Sequence, residues 1–239
     1  MLTESTHYVF HYDENSYAKK NIDHIIQTQE ACYEYICSVL NVTPDFKIHY
    51  YLCDTPEMVG KYYGDLHGDE EYEPCNGFAN IPNEIYAVYN EKVQCIGFHE
   101  DAHLISYLIN RPTSGFIREG LAMFFDQKWW SISNLEWVQY YLSKDMVLSI
   151  TEYLRDDIFY EHDCTITYPI AGFFTEYLIL TYGIEKYIKM YSYVGKIQDA
   201  FQYAYGLESD EIDIRFKKYL QLFKVDPIVM KRIEILLSE

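Results

Sequence analysis

The feature that most constrains this chain is the pentapeptide His99-Glu100-Asp101-Ala102-His103. It has the pattern HExxH, in which two histidines lie four positions apart and a glutamate follows the first. On an α-helix the two imidazoles share one face, so both can bind a single cation. The glutamate projects beside them, where its carboxylate can accept a proton from a water on the metal. The motif therefore predicts a helix that carries a metal site and a general base.

The residues around the motif favour a long helix. The segment 91–109 contains no proline, and its one glycine, Gly97, precedes the histidines. Apolar residues recur along it, as is typical of a largely buried helix. The segment 111–115 (Arg-Pro-Thr-Ser-Gly) then favours a turn, because proline disfavours helical geometry in the residue before it. On a helix over 91–109, Cys95 would lie one turn before His99, where it is a weaker alternative ligand than the residues described next.

A third ligand is expected farther along the chain. Catalytic zinc takes three protein ligands and leaves a fourth position for water. A second helix is predicted over 114–125, with Ser114 as its N-cap. Glu119 lies in this helix among apolar neighbours, where a buried carboxylate without a partner would be costly. The small residues Gly120 and Ala122 would let the second helix approach the first closely, and a helical hairpin would return Glu119 toward the histidines.

The motif, together with the segment 119–122 (Glu-Gly-Leu-Ala), resembles the gluzincin metallopeptidases, in particular the peptidase MA-like group. In that group HExxH lies on one helix and the third ligand on the next. The resemblance implies His99, His103 and Glu119 as ligands of Zn²⁺. It implies Glu100 as the general base.

A downstream segment extends the resemblance. Residues 168–174 (Tyr-Pro-Ile-Ala-Gly-Phe-Phe) are similar to the gluzincin helix that brings a tyrosine to the active site. Tyr168 is the candidate, and its neutral hydroxyl would donate a hydrogen bond to the oxyanion of the tetrahedral intermediate. The alternative is that Tyr168 is a packing residue, one of 26 tyrosines in the chain.

Two short strands are predicted before the motif, over 76–80 and 84–89. In gluzincins an edge strand at this place binds the substrate backbone by β-addition. The candidate substrate-binding residues are Gly77, Phe78, Ala79 and Asn80. Zinc aminopeptidases of the superfamily carry a glutamate here that binds the free amino terminus of the substrate. No acidic residue occurs from 74 to 83, which favours an endopeptidase or a divergent enzyme over a standard aminopeptidase.

Composition excludes several classes of partner. The net charge of −18 and the pI near 4.7 oppose binding to nucleic acid and to anionic membranes. The N-terminal residues have no signal-peptide pattern, and no apolar run reaches the ~18 residues that would span a bilayer. The six cysteines form no C-x-x-C pair. These observations predict a soluble cytoplasmic protein with reduced thiols.

The order of the patterns predicts an α+β fold. A small mixed β-sheet with covering helices would form an N-terminal lobe over 1–128, followed by an all-helical lobe over 129–239. The arrangement would be zincin-like, with the metal in a groove between the lobes, and one compact catalytic domain over 1–239 is the alternative. The elements predicted outside the site are strands over 6–12 and 46–53, and helices over 16–40, 55–63, 134–143, 146–157, 168–182, 184–193, 196–204, 209–223 and 226–237.

These expectations converge on a zinc metallopeptidase that acts on a peptide or protein, without fixing its oligomeric state. Two alternatives stay open. One is a zinc hydrolase of a non-peptide amide, and the other is a binding or regulatory protein that retains the zinc site without turnover. Glu100 argues against the second alternative, because a structural metal site needs no general base.

Overall fold

The computed structural model describes residues 1–69 and 72–238. The predicted α+β class is confirmed, since a small mixed sheet near the N-terminus is followed by a mostly helical region. Contacts between residues divide the chain into two units, Met1–Leu108 and Ile109–Glu239. This division precedes the expected boundary at 128, so the helix that carries Glu119 belongs to the second unit.

The first unit is built on a five-stranded sheet. Its elements are β1 (Leu2–Glu4), β2 (Tyr8–His11), α1 (Tyr17–Lys20), α2 (Ile22–Leu40), β3 (Ile48–Cys53), α3 (Pro56–His67), β4 (Gly77–Asn80), β5 (Glu84–Val88) and α4 (His99–Ser106). The strand order is β1-β2-β3-β5-β4. Strands β2, β3 and β5 are parallel, whereas β1 and β4 run antiparallel at the two edges.

One face of this sheet forms the buried core of the unit. Tyr8, Ile48 and Ile85 on neighbouring strands are inaccessible to solvent. Helix α2 covers this face, with the Tyr33 ring edge-on to the Tyr8 ring at 6.0 Å. Helix α4 packs against both α2 and β4. The HExxH helix is thus held between a long helix and the edge strand.

The opposite face carries a row of aromatic rings. His11, Tyr51, Tyr86 and Phe78 occupy one register position across β2, β3, β5 and β4. Successive ring centroids are 4.3, 4.5 and 4.9 Å apart, and each pair is stacked. Helix α3 lies on this face, where the Tyr62 ring meets Tyr86 at 4.9 Å. Cross-strand aromatic pairs of this kind stabilise a sheet and fix its register.

The predicted helix over 16–40 is interrupted at Asn21. The Ser16 hydroxyl caps α1, accepting the Lys19 N–H at 3.2 Å. The Asn21 amide donates to the Tyr17 carbonyl at 2.9 Å, and its backbone leaves helical geometry at φ −118°. Helix α2 then restarts at Ile22.

The predicted helix over 91–109 is wrong in extent, because α4 contains only His99–Ser106. The Asn90 side chain accepts the N–H groups of Lys92 and Val93 at 2.9 and 2.8 Å. An asparagine that binds the backbone in this way offers an alternative to helix formation.

The rest of that segment continues the sheet rather than the helix. The Cys95 N–H donates to the Val88 carbonyl at 2.8 Å, which ties it to the end of β5. Gly97 has φ +132°, a conformation that a helix does not contain. Cys95 therefore does not lie one helical turn before His99.

The second unit is almost entirely helical. Its elements are α5 (Gly115–Asp126), β6 (Lys128–Trp129), β7 (Ile132–Ser133), α6 (Asn134–Ser143), α7 (Ile150–Tyr153), α8 (Asp156–Phe159), α9 (Cys164–Tyr182), α10 (Ile184–Tyr191), α11 (Ile197–Tyr205), α12 (Ser209–Leu220) and α13 (Pro227–Leu236). The β6–β7 hairpin was not predicted. None of the helices among the described residues is long and apolar enough to cross a membrane.

Two predicted helices of this unit have different bounds. The helix over 146–157 is two short helices, because Ser149 begins α7 with a capping box closed by Glu152. Helix α9 starts before the predicted position 168, because the Asp163 carboxylate accepts the Thr165 N–H at 2.8 Å. Tyr168 therefore lies in the second turn of α9 rather than at its start.

Helices α5 and α9 share the most extensive helix–helix contact of the second unit. A Cβ atom at Gly120 would lie 2.6 Å from Thr175 Oγ1 and 2.8 Å from the Ala171 carbonyl oxygen. Only glycine fits this crossing. Gly120 was predicted to let its helix approach the HExxH helix closely. That assignment is corrected, because the position where a Cβ of residue 120 would stand faces α9.

Candidate metal centre

Three predicted ligands converge. His99 is the first residue of α4, His103 lies one turn later, and Glu119 is in α5. One ligand atom from each lies within 4.8 Å of the others. Within residues 1–69 and 72–238, this is the one group of three or more His, Cys, Asp or Glu side chains with that geometry.

The donor set fits a divalent cation. The His99 and His103 rings are 5.1 Å apart and nearly perpendicular, at 82°. His103 is 7% exposed, while His99 and Glu119 are half-buried. Two imidazole nitrogens and one carboxylate oxygen form the donor set of a catalytic zinc site, which keeps its fourth position open. The side chains can therefore hold a metal ion.

Glu100 is placed by the edge strand of the sheet. It is the second residue of α4, and its carboxylate lies over Gly77 of β4. A Cβ atom at position 77 would stand 3.0 Å from Glu100 Oε1. The pKa of the nearby Cys75 thiol is raised, chiefly by burial and also by the Glu100 charge. The candidate base and the candidate substrate strand are thus neighbours.

The candidate substrate strand is confirmed as a strand at the edge of the sheet. Strand β4 pairs with β5, and among the described residues its outer edge pairs with no other strand. Successive residues of a strand face opposite sides of the sheet. Gly77 and Ala79 therefore lie on the face that α4 covers, whereas Phe78 lies on the other face and stacks on Tyr86. The glycine at 77 therefore makes room for Glu100.

An acidic residue missed in the sequence lies beside this strand. Asn80 Nδ2 donates to Glu84 Oε2 at 2.7 Å, across the β4–β5 pair. No acid occurs from 74 to 83, but the hairpin brings Glu84 opposite Asn80. The predicted pairing of the two strands was the signal that could have identified this neighbour.

Tyr168 is half-buried on α9 and packs among aromatic rings. Its ring centroid lies 5.6 Å from that of Trp129 and 6.0 Å from that of Phe159. This packing fixes the ring. The role of its hydroxyl at an oxyanion stays a prediction.

The helix that carries Glu119 is anchored at its start by a residue other than the predicted cap. Ser114 occupies the N-cap position, but its side chain makes no cap hydrogen bond. Instead Asp156 Oδ1 accepts the Gly115 N–H at 2.6 Å. The Arg118 guanidinium donates to the carbonyls of Pro112 and Thr113 at 2.7 and 2.8 Å. These contacts fix the first turn of α5, one residue before Glu119.

A second feature missed in the sequence is the burial of Asp101 inside the HExxH motif. Its side chain is inaccessible, and Oδ2 accepts hydrogen bonds from Gln29 Nε2 at 2.9 Å and from the Tyr8 hydroxyl. Burial raises the pKa of the Asp101 carboxyl well above its usual range, while the bonds from Tyr8 and Gln29 oppose the shift. The motif is therefore tied to β2 and α2 through its third residue.

Comparisons of the chain with protein-family models, with curated proteins and with solved structures found no match.

Proposed function

We propose that this protein is a zinc-dependent metallopeptidase of the gluzincin type. One observation carries the proposal: ligand atoms of His99, His103 and Glu119 meet within 4.8 Å, while Glu100 follows His99 on the same helix. The HExxH motif and the segment 119–122 were the basis for expecting this geometry. A carboxylate base beside such a group is what hydrolysis requires and what a structural metal site does not need.

The donor set favours zinc. His99 and His103 would each present a neutral ring nitrogen, and Glu119 would present a carboxylate oxygen. When bound there, zinc would polarise a carbonyl and lower the pKa of water toward ~7.

Glu100 performs the proton transfers in this proposal. Its carboxylate takes the proton of the attacking water and then delivers it to the departing amine. The carboxylate lies over Gly77, where the absence of a side chain leaves room for it, so the base is close to the strand on which the substrate would lie. The Tyr168 hydroxyl is proposed to donate to the oxyanion formed at the carbonyl.

The substrate is proposed to be an extended peptide or a segment of a protein. The edge of β4, which no other strand among the described residues covers, offers backbone N–H and C=O groups for β-addition. The docking residues would be Gly77, Phe78, Ala79 and Asn80. Asn80 donates its amide to Glu84, and position 80 holds no carboxylate that would bind a free amino terminus. These features support an endopeptidase or a divergent enzyme rather than a standard aminopeptidase.

The test combines metal analysis with cleavage of a peptide library. We expect about one equivalent of zinc in the purified protein and cleavage at internal peptide bonds. Glu100→Gln should retain the zinc and lose cleavage, whereas His103→Ala should lose the zinc. Full cleavage by a clean Glu100→Gln preparation would overturn the assignment of the base.

Other outcomes of the same experiment favour the two alternatives. Bound zinc with hydrolysis of simple amides but of no peptide would favour a non-peptide amidase. Bound zinc with no hydrolysis of either substrate class would favour a binding or regulatory protein. A protein that binds no divalent metal would contradict the proposal itself.

A further inference from the structure

The first ligand of the metal centre lies at the N-terminal end of its helix. Helix α4 begins at His99, and Phe98 in the N-cap position makes no side-chain cap hydrogen bond. Gly97, just before it, has φ +132°. Helix ends leave backbone groups unsatisfied and open more readily than helix centres. His99 can bind a metal in a fixed geometry only if this end of the helix is held, and residues outside α4 can supply that restraint.

Gln29 on α2 meets that requirement. It is fully buried, and its Oε1 accepts the Gly97 N–H at 2.6 Å. Its Nε2 lies 3.2 Å from the Gly97 carbonyl oxygen and 2.9 Å from Asp101 Oδ2. The side-chain amide of Gln29 thus bonds the backbone of Gly97, two residues before His99. It also bonds the side chain of Asp101, two residues after His99.

Tyr8 connects this arrangement to the sheet. Its hydroxyl contacts Asp101 Oδ2 and lies 3.1 Å from the Gln29 carbonyl oxygen. Tyr8 is itself inaccessible on β2. Three elements that are far apart in sequence therefore meet at the start of the HExxH helix.

We infer that Gln29 is a positioning residue for the metal centre, whose amide holds the His99 end of α4 through Gly97 and Asp101. The inference rests on the proposed function, because it assigns Gln29 a task at the same site. It does not place Gln29 in contact with metal or substrate.

The physical argument is one of orientation. Metal ligands must be held within about 0.5 Å of the productive geometry, and outer hydrogen-bond partners supply much of that restraint. Loss of a partner that bonds a ligand directly typically lowers metal affinity by about 10- to 100-fold, and Gln29 acts one step farther out, through the helix that carries the ligand. Without the Gln29 amide, Asp101 would also be left as a buried polar group with one partner fewer, and the half-buried backbone of Gly97 would lose its bonds to the amide.

The experiment compares two buried glutamines. Gln29→Met keeps the length of the side chain and removes its hydrogen bonds. Gln139→Met is the matched control, since Gln139 is also buried and its Nε2 donates to the Leu220 carbonyl at 3.0 Å in the second unit. The Zn²⁺ dissociation constant is measured by competition with a chromophoric chelator, alongside the melting temperature of each apo protein.

We expect Gln29→Met to weaken Zn²⁺ binding by about 10-fold, the lower end of the range for partners that bond a ligand directly. Gln139→Met should keep the wild-type Zn²⁺ affinity even where its melting temperature falls. In zinc-saturated protein, Gln29→Met should lower kcat more than it changes KM, because ligand geometry is affected and the substrate strand is not.

A double variant tests the hydrogen bond itself. In Gln29→Glu combined with Asp101→Asn, donor and acceptor are exchanged, so the carboxylate at 29 can accept from the amide at 101 and from the Gly97 N–H. The double variant should bind Zn²⁺ more tightly than Gln29→Glu alone. A purely structural role in α2 would not give this recovery.

The outcomes separate the two proposals. If wild type binds Zn²⁺ and Gln29→Met binds it equally tightly, the positioning role is overturned and the proposed function stands. If wild type binds no divalent metal, both fall. If Gln29→Met does not fold, Gln29→Glu takes its place, because it keeps an acceptor for the Gly97 N–H and removes the donor to Asp101. Unchanged Zn²⁺ affinity in that variant would also overturn the role.

Discussion

The Glu100 carboxylate lies over Gly77: a side chain at position 77 would place its Cβ 3.0 Å from Glu100 Oε1. That separation would be tighter than an ordinary van der Waals approach, so either the carboxylate or the strand must move when a methyl group is added at position 77. The Glu100 carboxylate is the end of a flexible side chain, whereas the backbone of β4 is held by its pairing with β5. The carboxylate is the group that would give way.

Gly77→Ala is therefore expected to displace the base and leave the fold intact. We predict a roughly 10- to 100-fold lower kcat for peptide hydrolysis, because small misplacements of a catalytic group are costly. Zn²⁺ affinity and melting temperature, measured on the same preparation, should match wild type. An unchanged kcat would show that the space over Gly77 does not position Glu100.

Glu119 provides a second prediction, on metal binding. Glu119→Gln should weaken Zn²⁺ binding by more than the roughly 10- to 100-fold typical of outer partners, because an anionic ligand is lost. Glu185→Gln changes the net charge equally, and Glu185 is an exposed residue of α10. That control should bind Zn²⁺ like wild type. Equal affinities of the two variants would remove Glu119 from the ligand set.

The sequence predicted most accurately the helix that begins with a local capping motif and the strands with alternating residues. Helix α6 has the predicted bounds of 134–143, and Ser133 with Glu136 forms a capping box at its start. The strands predicted over 76–80 and 84–89 match β4 and β5 closely. Motif spacing likewise identified His99 and His103, because four positions on a helix fix two ligands on one face. Glu119 was expected from the helical hairpin predicted after the motif.

The prediction of a helix over 91–109 failed where a side chain competes with the helix for backbone hydrogen bonds. Apolar residues recur within 91–98, but the turn formed by the Asn90 side chain and the positive φ of Gly97 exclude a helix there. A periodic pattern records the spacing of apolar residues and is insensitive to such local hydrogen bonds.

The network of Gln29, Tyr8 and Asp101 could not be found by any local pattern. Gln29 and Asp101 are 72 positions apart, and Tyr8 and Asp101 are 93 apart. Asp101 occupies a variable position of HExxH, where an aspartate would ordinarily be placed on the solvent side. Only the packing of α2 and β2 against α4 reveals that it is buried and bonded.

A third prediction concerns the cap of α5. Asp156→Ala should lower the free energy of unfolding by about 1 kcal/mol, since it removes the acceptor of the Gly115 N–H. Ser114→Ala should have little effect, because the buried Ser114 Oγ has no hydrogen-bond partner among the described residues. Urea unfolding of both variants checks the pair. A larger loss of unfolding free energy in Ser114→Ala than in Asp156→Ala would show that Ser114 is the cap, as the sequence suggested.

The crossing of α5 and α9 gives a fourth prediction. Gly120→Ala would force a methyl group against Thr175 Oγ1 and the Ala171 carbonyl oxygen, which would lie at 2.6 and 2.8 Å. Because the second contact is backbone, a change of rotamer cannot relieve it. Overpacking of this kind costs about 1–3 kcal/mol of unfolding free energy. Combining it with Thr175→Ala should recover part of the loss in urea unfolding, and a fully stable Gly120→Ala would show that the helices can separate freely.

The fifth prediction concerns pH and His11. Its ring stacks on Tyr51, and its Nε2 lies 3.1 Å from His49 Nδ1. Burial lowers the pKa of His11 from its usual 6.5, His49 lowers it further, and Glu84 opposes the shift. The unfolded chain therefore takes up this proton before the folded protein does. The resulting stability is fully present above pH 6.5 and is lost as the pH falls toward the folded pKa of His11.

His11→Phe keeps an aromatic ring in the row and removes the titrating group. The decline in the free energy of unfolding between pH 7.5 and pH 5, measured by urea titration at a series of pH values, should be shallower in this variant. One proton limits the difference in slope to about 1.4 kcal/mol per pH unit. His24→Gln, which changes an exposed histidine of α2, should retain the wild-type slope. If His11→Phe declines as steeply as wild type, the acid sensitivity arises at another group, and the contact of His11 with His49 has no energetic consequence in this range.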